Sequence, residues 1–238
     1  MNAFASLVGL TTRAWAHVGR TGGARPFFDD PPPRPASKQP AIFIDKDGTL
    51  VENVPYNVDP ALLRFMPNAC EALHALAAAG YLLVVVTNQS GLARGLFTRR
   101  QFAQMQLVLE RRLRREAGVE LTDLLLCPHA PDERGRPTCL CRKPSAGMLL
   151  RAALRHRIDL ARSWMVGDTL DDVEAGHRAG CRGILLDSGG ETLWRASPLR
   201  RPHAVCADWL DVAQAIRTAP APAGLGVSPP PQHPQALR

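Results

Sequence analysis

The segment that most constrains the fold is residues 41–50, where an apolar run is followed directly by two carboxylates and a glycine. Residues 41–44 (Ala-Ile-Phe-Ile) have the length and β-branched content of a buried parallel strand. Asp45 and Asp47 follow where such a strand ends, and ligands of open α/β sheets bind beyond the carboxyl ends of the strands. We expect both carboxylates to project to one side of an extended chain, where a hard cation such as Mg²⁺ relieves their repulsion. A solvated Asp-Gly turn is the alternative that this segment alone leaves open.

Four further apolar segments repeat this arrangement and alternate with stretches of helical periodicity. The predicted strands are residues 41–44, 81–86, 121–126, 164–166 and 183–186. Helices are predicted between them because apolar residues recur at spacings of three and four, as at Leu73, Leu76 and Ala77. Alternating strands and helices are typical of an α/β fold, a mainly parallel sheet with helices on both faces.

Length and composition bound the domain organisation and the class of partner. At 238 residues the chain suits one ordinary domain with tails. Residues 1–40 are rich in Pro, Gly and Arg, and residues 218–238 in Pro and Ala, so we predict disordered extensions around a domain at 41–217. No apolar run approaches the length of a membrane span. The net charge of +7 is shared between the extensions and the domain, which favours anionic substrates without requiring a polynucleotide groove.

Three more polar groups follow later strands and are candidates for the same site. Thr87 opens a polar turn after the second strand, where a hydroxyl and backbone N–H groups are donors to an oxyanion. Asp168 follows the fourth strand, and Gly167 before it permits close backbone approach. Lys143 would neutralise a phosphoryl oxygen, with an ordinary surface lysine as the alternative. Asp171, in the first turn of the next helix, is interpreted as a partner of the helix dipole.

A cluster of soft ligands occupies the loop after the third strand. Cys127 and His129 form C-x-H, and Cys139 and Cys141 form C-x-C after nine intervening residues rich in Pro and Gly. Three thiolates and one imidazole are the donor set of a tetrahedral Zn²⁺ site. Because protein would fill all four positions, we predict a structural zinc-bound loop; chance clustering is the alternative.

The polar groups occur in the order of the four motifs of the haloacid dehalogenase (HAD) phosphatases. The first motif is D-x-D-G-T-L at residues 45–50, and Thr87, Lys143 and Asp168 follow in sequence. The chain from residue 41 to about 217 therefore resembles this superfamily. The resemblance implies a Rossmann-like HAD fold with no large cap domain, in which the zinc-bound loop and residues 51–60 shape the substrate pocket.

Further motifs narrow the resemblance within the superfamily. Residues 87–95 (Thr-Asn-Gln-Ser-Gly-Leu-Ala-Arg-Gly), the C-x-H and C-x-C cluster, and residues 141–144 (Cys-Arg-Lys-Pro) resemble the family of D-glycero-D-manno-heptose 1,7-bisphosphate 7-phosphatases. The related histidinol-phosphate phosphatases share the cluster but usually have Asp-Gly-Leu-Gly after the Asn-Gln. The Ser-Gly-Leu-Ala-Arg-Gly of this chain favours the heptose family.

This resemblance implies roles for individual residues. Asp45 would be the nucleophile and Asp47 the general acid/base, with Thr87 and Lys143 stabilising the phosphoryl group. Mg²⁺ would be bound by Asp45, by the backbone carbonyl of Asp47 and by Asp168. The implied zinc ligands are Cys127, His129, Cys139 and Cys141. The implied substrate contacts are Asn53, Val54, Pro55, Tyr56, Asn88, Gln89, Ser90, Arg142 and Thr169.

Three functions are compatible with the sequence. The leading hypothesis is magnesium-dependent removal of the 7-phosphate of D-glycero-D-manno-heptose 1,7-bisphosphate through an aspartyl-phosphate intermediate, by a cytoplasmic monomer with no nucleic-acid or membrane partner. A histidinol-phosphate phosphatase is the second. The third, a zinc-organised nucleic-acid or protein-binding module, is suggested by the basic composition and an Arg-rich helix; it predicts salt-sensitive binding to polynucleotides and leaves the ordered acidic motifs unexplained.

Overall fold

The computed structural model describes residues 37–220, which form a six-stranded sheet with helices around it. The predictions for residues 1–36 and 221–238 lie outside the described part of the chain. The strands are β1 (Ala41–Ile44), β2 (Leu82–Asn88), β3 (Asp123–Cys127), β4 (Trp164–Gly167), β5 (Arg182–Leu186) and β6 (Ala204–Cys206). The helices are α1 (Ala69–Ala78), α2 (Arg99–Glu116), α3 (Gly147–His156), α4 (Leu170–Ala179) and α5 (Trp209–Thr218).

All strands are parallel, and their order is β3-β2-β1-β4-β5-β6. The chain runs outward from β1 to β3, returns to β4 on the other side of β1, and then runs outward again. The order therefore reverses between β1 and β4, and a crevice outside the carboxyl ends of these two strands is where α/β proteins bind ligands. The α/β fold predicted from the alternating strands and helices is confirmed.

Different helices cover the two faces of the sheet. Alternate strand residues point to opposite faces, so they pack in different cores. Ile42 and Ile44 pack in one core with buried residues of α1, α2 and α5. Ala41 and Phe43 pack in a second core with buried residues of α3 and α4. Residues 41–44 are fully buried as a result, which explains their continuous apolar sequence.

Local capping interactions fix two helix starts. Thr98 accepts from the backbone of Gln101, whose side chain accepts in return from Thr98 N at 2.8 Å, so α2 begins with a capping box. Thr169 and Asp172 form a second capping box at the start of α4. This second box places Asp172 at the end of β4, close to the crevice.

The structure differs from the sequence predictions at several element boundaries. The sixth strand, β6, was not predicted, because three residues at a sheet edge carry too little periodicity to be recognised. β2 continues through Thr87 to Asn88, whereas the prediction ended it at residue 86. The extra pairs, Thr87 with Leu126 and Asn88 with Cys127, extend the ladder toward the crevice. Within residues 37–220, no helix combines the length and the apolar content needed to cross a bilayer.

Candidate active site

Two carboxylates meet where β1 and β4 end. Ile44 is in register with Val166, and Asp45 N donates to the Val166 carbonyl at 3.0 Å. Asp45 comes one residue after β1 and Asp168 one residue after β4, so both lie at the same edge of the sheet. They are 7% and 5% exposed. The structure thus brings together two of the predicted magnesium ligands from segments more than 120 residues apart.

A third carboxylate, Asp172, reaches the same point from the first turn of α4. Oxygen atoms of Asp45, Asp168 and Asp172 all lie within 4.8 Å of one another. Gly167 makes this approach possible, since a Cβ atom there would lie 2.2 Å from the Asp172 Cβ. Close approach of Gly167 was predicted, but the partner is Asp172. These three residues are called the carboxylate cluster below.

Lys143 is inserted into the carboxylate cluster. Its Nζ lies 2.7 Å from Asp172 Oδ1, contacts Asp45 Oδ1 and donates to the Val86 carbonyl at 2.9 Å. Asn88 holds the Lys143 backbone, accepting from its N–H at 3.1 Å and donating to its carbonyl at 3.2 Å. Lys143 is 4% exposed, so the surface-lysine alternative is wrong.

Burial and mutual repulsion shift the acid–base equilibria of the cluster. Burial raises the pKa of Asp45 from 3.8 to about 8; Asp172 and Asp168 add to the increase and Lys143 opposes it. Burial, together with Asp172, raises the pKa of Asp168 to about 6. Burial opposes the charge of Lys143, but the attraction of Asp172 and Asp45 outweighs it and raises the Lys143 pKa. Three buried carboxylates around one ammonium leave excess negative charge, and this oxygen donor set fits a hard divalent cation.

Asp47 is oriented by a turn rather than by an extended strand. Gly48 has a φ of +84° and its N–H donates to the Val51 carbonyl at 2.8 Å, so the chain turns back directly after β1. Asp45 and Asp47 therefore lie beyond the end of β1, in the segment that leads into this turn. The Asp47 side chain stands apart from the carboxylate cluster, which is formed by Asp45, Asp168 and Asp172.

The Asp47 carboxylate and the Thr87 hydroxyl share one partner. Gln89 Nε2 donates to Asp47 Oδ2 at 2.8 Å and to Thr87 Oγ1 at 2.8 Å. The other Asp47 oxygen contacts the ammonium of Lys46, which is 3% exposed. Gln89 is likewise buried, so both partners of Asp47 are held in place by the surrounding structure. The predicted acid/base and the predicted phosphoryl ligand are thereby brought side by side.

The four predicted zinc ligands converge on one point. The Sγ atoms of Cys127, Cys139 and Cys141 are 3.3–3.6 Å apart, and His129 Nδ1 lies 3.5 Å from Cys127 Sγ and 3.3 Å from Cys141 Sγ. A tetrahedron of thiolates around Zn²⁺, with bonds of about 2.3 Å, has edges of about 3.8 Å, close to the observed separations, so this arrangement fits the ion. Burial raises the pKa of the Cys127 thiol. For Cys139 burial acts in the same direction, but hydrogen bonds from Cys141 and from the Arg142 backbone outweigh it and lower the pKa to about 7.

The predicted substrate contacts come from four segments of the chain. Residues 53–56 belong to the loop between β1 and α1, and the Arg94 guanidinium lies 5.9 Å from the centre of the Tyr56 ring. Arg142 follows the last zinc ligand, and its guanidinium donates to the His129 carbonyl at 3.2 Å. Thr169 caps α4, with its hydroxyl donating to Asp172 Oδ2 at 2.6 Å. The contact residues that reach the catalytic candidates directly are Asn88 and Gln89.

Sequence reasoning missed two residues that the structure places in this site. Asp172 was not singled out, because acids in the first turn of a helix are common, yet it is 1% exposed and contacts Lys143. The available signal was its spacing of four residues from Asp168, about one helical turn, together with the Thr-x-x-Asp capping pattern. Lys46 was passed over because a lysine between two aspartates is typical of an exposed turn.

Comparisons with known proteins agree with this geometry. A profile of HAD-hydrolase-like proteins matches residues 140–212. The D-glycero-beta-D-manno-heptose-1,7-bisphosphate 7-phosphatase of Escherichia coli is 38% identical over 197 residues, covering 79% of this chain and 99% of that protein. The protein of the same name from Haemophilus ducreyi is 41% identical over 155 residues, covering 64% of this chain and 85% of that protein.

Solved structures give the same result. The crystal structure of D,D-heptose 1,7-bisphosphate phosphatase from B. bronchiseptica, complexed with magnesium and phosphate, is similar with a TM-score of 0.65 and 32% sequence identity. The similarity covers 75% of this chain and 98% of that chain. The likeness therefore extends over nearly the full length of these proteins.

Proposed function

We propose that this chain, which belongs to the HAD-like family of D-glycero-β-D-manno-heptose-1,7-bisphosphate 7-phosphatases, hydrolyses the 7-phosphate of D-glycero-β-D-manno-heptose 1,7-bisphosphate. Family membership makes it a phosphoric monoester hydrolase. The substrate is inferred from the relatives of this name, which the chain matches over 99% and 85% of their length. The single observation that best supports the chemistry is the convergence of Asp45, Asp168, Asp172 and Lys143 at the switch point of the sheet.

Magnesium is part of this proposal. The ion would be held by Asp45, Asp168 and the backbone carbonyl of Asp47. Asp172 would add a further negative charge beside it. When bound, Mg²⁺ supplies positive charge that screens a carboxylate nucleophile from an anionic phosphate. The pKa increases of Asp45 and Asp168 support this assignment, because a nearby cation is what keeps both groups ionised near neutral pH.

In the first step, an Asp45 oxygen attacks phosphorus and the bond from phosphorus to the sugar oxygen breaks, leaving an aspartyl phosphate. Asp47, as the acid, transfers its proton to the departing sugar oxygen. In the second step, Asp47 takes a proton from water, the water oxygen attacks phosphorus, and the Asp45 carboxylate is released. Lys143 and the Thr87 hydroxyl donate to the phosphoryl oxygens during both steps. Gln89 holds Thr87 and Asp47 in one arrangement through both transfers.

A substrate panel in the presence of Mg²⁺ tests the proposal. The panel contains the heptose 1,7-bisphosphate, the heptose 7-phosphate, histidinol phosphate and an aryl phosphate. We expect the highest kcat/KM for the bisphosphate, with release of one phosphate per sugar and the 1-phosphate retained. A clear preference for histidinol phosphate would show that the chain is instead a histidinol-phosphate phosphatase. Salt-sensitive binding of polynucleotides without hydrolysis of any panel member would support the third.

We also propose that Cys127, His129, Cys139 and Cys141 bind a structural zinc ion, and that the enzyme acts as a monomer in the cytoplasm. The loop between Cys127 and Cys141 has almost no hydrophobic content, so four metal bonds would supply its main restraint. His129 also fixes Arg142 through its carbonyl, which links the metal to a predicted substrate contact. The role of zinc would therefore be to hold the loop that precedes Lys143.

Replacing a zinc ligand is expected to disorder this loop without removing the magnesium chemistry. Cys141→Ser should lose bound zinc, measured by elemental analysis, and should become sensitive to proteolysis within residues 127–141, because the loop loses a strong restraint. Hydrolysis of a small aryl phosphate should persist at a reduced rate. Cys70→Ser, which alters a thiol outside the cluster, is the control and should keep its zinc. Free, reactive thiols at all three cluster cysteines of the native protein would refute the zinc assignment.

A further inference from the structure

Residues 46–51, called the β1 turn below, are held from outside by two distant side chains. The indole N–H of Trp209, the first residue of α5, donates to the Thr49 carbonyl at 2.7 Å. The hydroxyl of Ser188, in the segment after β5, donates to the Gly48 carbonyl at 2.8 Å. These donors lie 160 and 140 residues from their acceptors along the chain. The β1 turn is therefore fixed by tertiary contacts as well as by its own hydrogen bonds.

The carbonyl groups of the β1 turn differ in whether they accept a hydrogen bond. Those that do so are the carbonyls of Lys46, Gly48, Thr49, Leu50 and Val51. The Asp47 carbonyl, a predicted magnesium ligand, has no donor among the residues that the structure describes. A carbonyl oxygen without a donor keeps both lone pairs, and a hard cation can use them. The two distant donors thus occupy the next two carbonyls along the chain and leave that of Asp47 free.

The β1 turn also lies directly against Asp168, another predicted magnesium ligand. A Cβ atom at Gly48 would lie 2.1 Å from Asp168 Oδ2, so the turn packs on this carboxylate with no room for a side chain at position 48. The Thr49 hydroxyl donates to the other carboxylate oxygen, Asp168 Oδ1, at 3.4 Å. Any shift of the turn would therefore change the distance between the Asp47 carbonyl and the Asp168 carboxylate.

Trp209 is a rigid donor because its ring is enclosed by the core. It is 0% exposed and belongs to the same apolar cluster as Leu50 and Val51 of the β1 turn. Trp164, on β4, is 2% exposed, and its Nε1 atom is buried without a hydrogen-bond partner in the described part of the chain. The protein thus contains two buried indoles that differ in whether the N–H is bonded.

We propose that Trp209, assisted by Ser188, is a positioning residue for the magnesium site. The two side chains would hold the β1 turn so that the Asp47 carbonyl and the Asp168 carboxylate keep the separation that one ion requires. Both would act through the backbone of the turn rather than by contact with the ion. Loss of a partner that orients a metal ligand typically weakens metal binding by about 10- to 100-fold. The inference rests on the proposed function, since it requires that this site bind Mg²⁺.

The test measures metal affinity in Trp209→Phe, which keeps an aromatic ring in the core but removes the N–H group. Mn²⁺, which like Mg²⁺ suits carboxylate and carbonyl ligands, is titrated into the substrate-free protein and followed by electron paramagnetic resonance. We expect the Kd for Mn²⁺ to rise about tenfold. The Mg²⁺ concentration for half-maximal hydrolysis of an aryl phosphate should rise by a similar factor. The kcat at saturating Mg²⁺ should change by less than about threefold, because the bound ion then fixes the turn.

Trp164→Phe is the matched control, because it makes the same substitution at a buried indole whose N–H bonds to none of the described residues. Its Kd for Mn²⁺ should stay within about twofold of the wild-type value. Ser188→Ala removes the second donor at an exposed position and should raise this Kd about threefold or more. Ser197→Ala, at an exposed serine whose side chain forms no cap hydrogen bond, should leave it unchanged.

An unchanged Kd for Mn²⁺ in Trp209→Phe would overturn the inference. An equal increase in Trp164→Phe would overturn it as well, because it would indicate a general packing effect. Should Trp209→Phe fail to fold, Ser188→Ala against Ser197→Ala decides in the same way, since neither serine is part of the core. A wild type that bound no Mn²⁺ would overturn the magnesium assignment together with this inference, and the wild-type titration alone reveals that case.

Discussion

Asp45→Asn is expected to lower phosphatase turnover by roughly 10⁴-fold or more, with the protein still folded. The substitution keeps the shape of the side chain but replaces the anionic oxygen that attacks phosphorus with an amide. It also removes one of the three negative charges of the carboxylate cluster. Turnover is measured on the bisphosphate with saturating Mg²⁺, and the fold by circular dichroism and thermal unfolding.

Stability gives this variant a second, independent readout. In the wild type the pKa of Asp45 is raised from 3.8 to about 8, so its ionisation is unfavourable in the folded metal-free protein. Asp45→Asn should therefore be as stable as the metal-free wild type, or more stable, above neutral pH. Glu71→Gln, an exposed carboxylate-to-amide change on α1, is the matched control and should retain full activity. Substantial activity in Asp45→Asn would refute the nucleophilic role.

Lys143→Met is expected to damage both activity and stability. It removes the ammonium that contacts Asp45 and Asp172, leaving buried carboxylates without that compensation. Breaking a buried pair from one side typically costs about 3–5 kcal/mol in the free energy of unfolding. Turnover should fall by about 10²- to 10³-fold, since a donor to the phosphoryl oxygens is lost. Urea unfolding and steady-state kinetics measure the two effects.

The stability loss of Lys143→Met should depend on pH and on magnesium. The folded pKa of Asp45 lies above its value in the unfolded chain, so the unfolded state binds fewer protons between pH 3.8 and about 8, and stability falls as the pH rises through this range. Because Lys143 lowers the Asp45 pKa, removing it should raise that pKa above about 8, so the deficit of the variant should grow as the pH rises above about 8, and Mg²⁺ should reduce it by supplying positive charge. Lys38→Met, at an exposed lysine, is the control. A deficit that is independent of pH and of Mg²⁺ would indicate a simple packing defect.

The sequence predicted the parts of this molecule that depend on local pattern. The strand at 41–44 and the cluster from Cys127 to Cys141 are recognisable because burial and metal ligation impose fixed residue types at short spacing. Residues 204–206 escaped detection because a short edge strand obtains its stability from its neighbour rather than from its own sequence.

The site residues also differ in whether a local sequence pattern or tertiary packing places them. Asp45 and Asp168 each follow an apolar strand and Thr87 lies near the end of one, a position where α/β proteins bind ligands. Asp172 is in the first turn of a helix, where acids are usually solvated. Its position in the site follows from tertiary packing, through the close approach at Gly167. The sequence carries only a weak signal for this contact, namely the spacing of four residues between Asp168 and Asp172.

The most direct test of the account is to identify the residue that becomes phosphorylated. Asp47→Asn lacks the acid/base needed to hydrolyse the aspartyl phosphate. The variant is mixed with Mg²⁺ and an aryl phosphate, whose leaving group departs without a proton. The reaction is then quenched with borohydride. This reagent reduces an acyl phosphate to an alcohol, so tandem mass spectrometry should find homoserine at position 45 and at no other carboxylate. Reduction at a different residue, or release of a stoichiometric burst of aryl alcohol with Asp45 unmodified, would contradict the account.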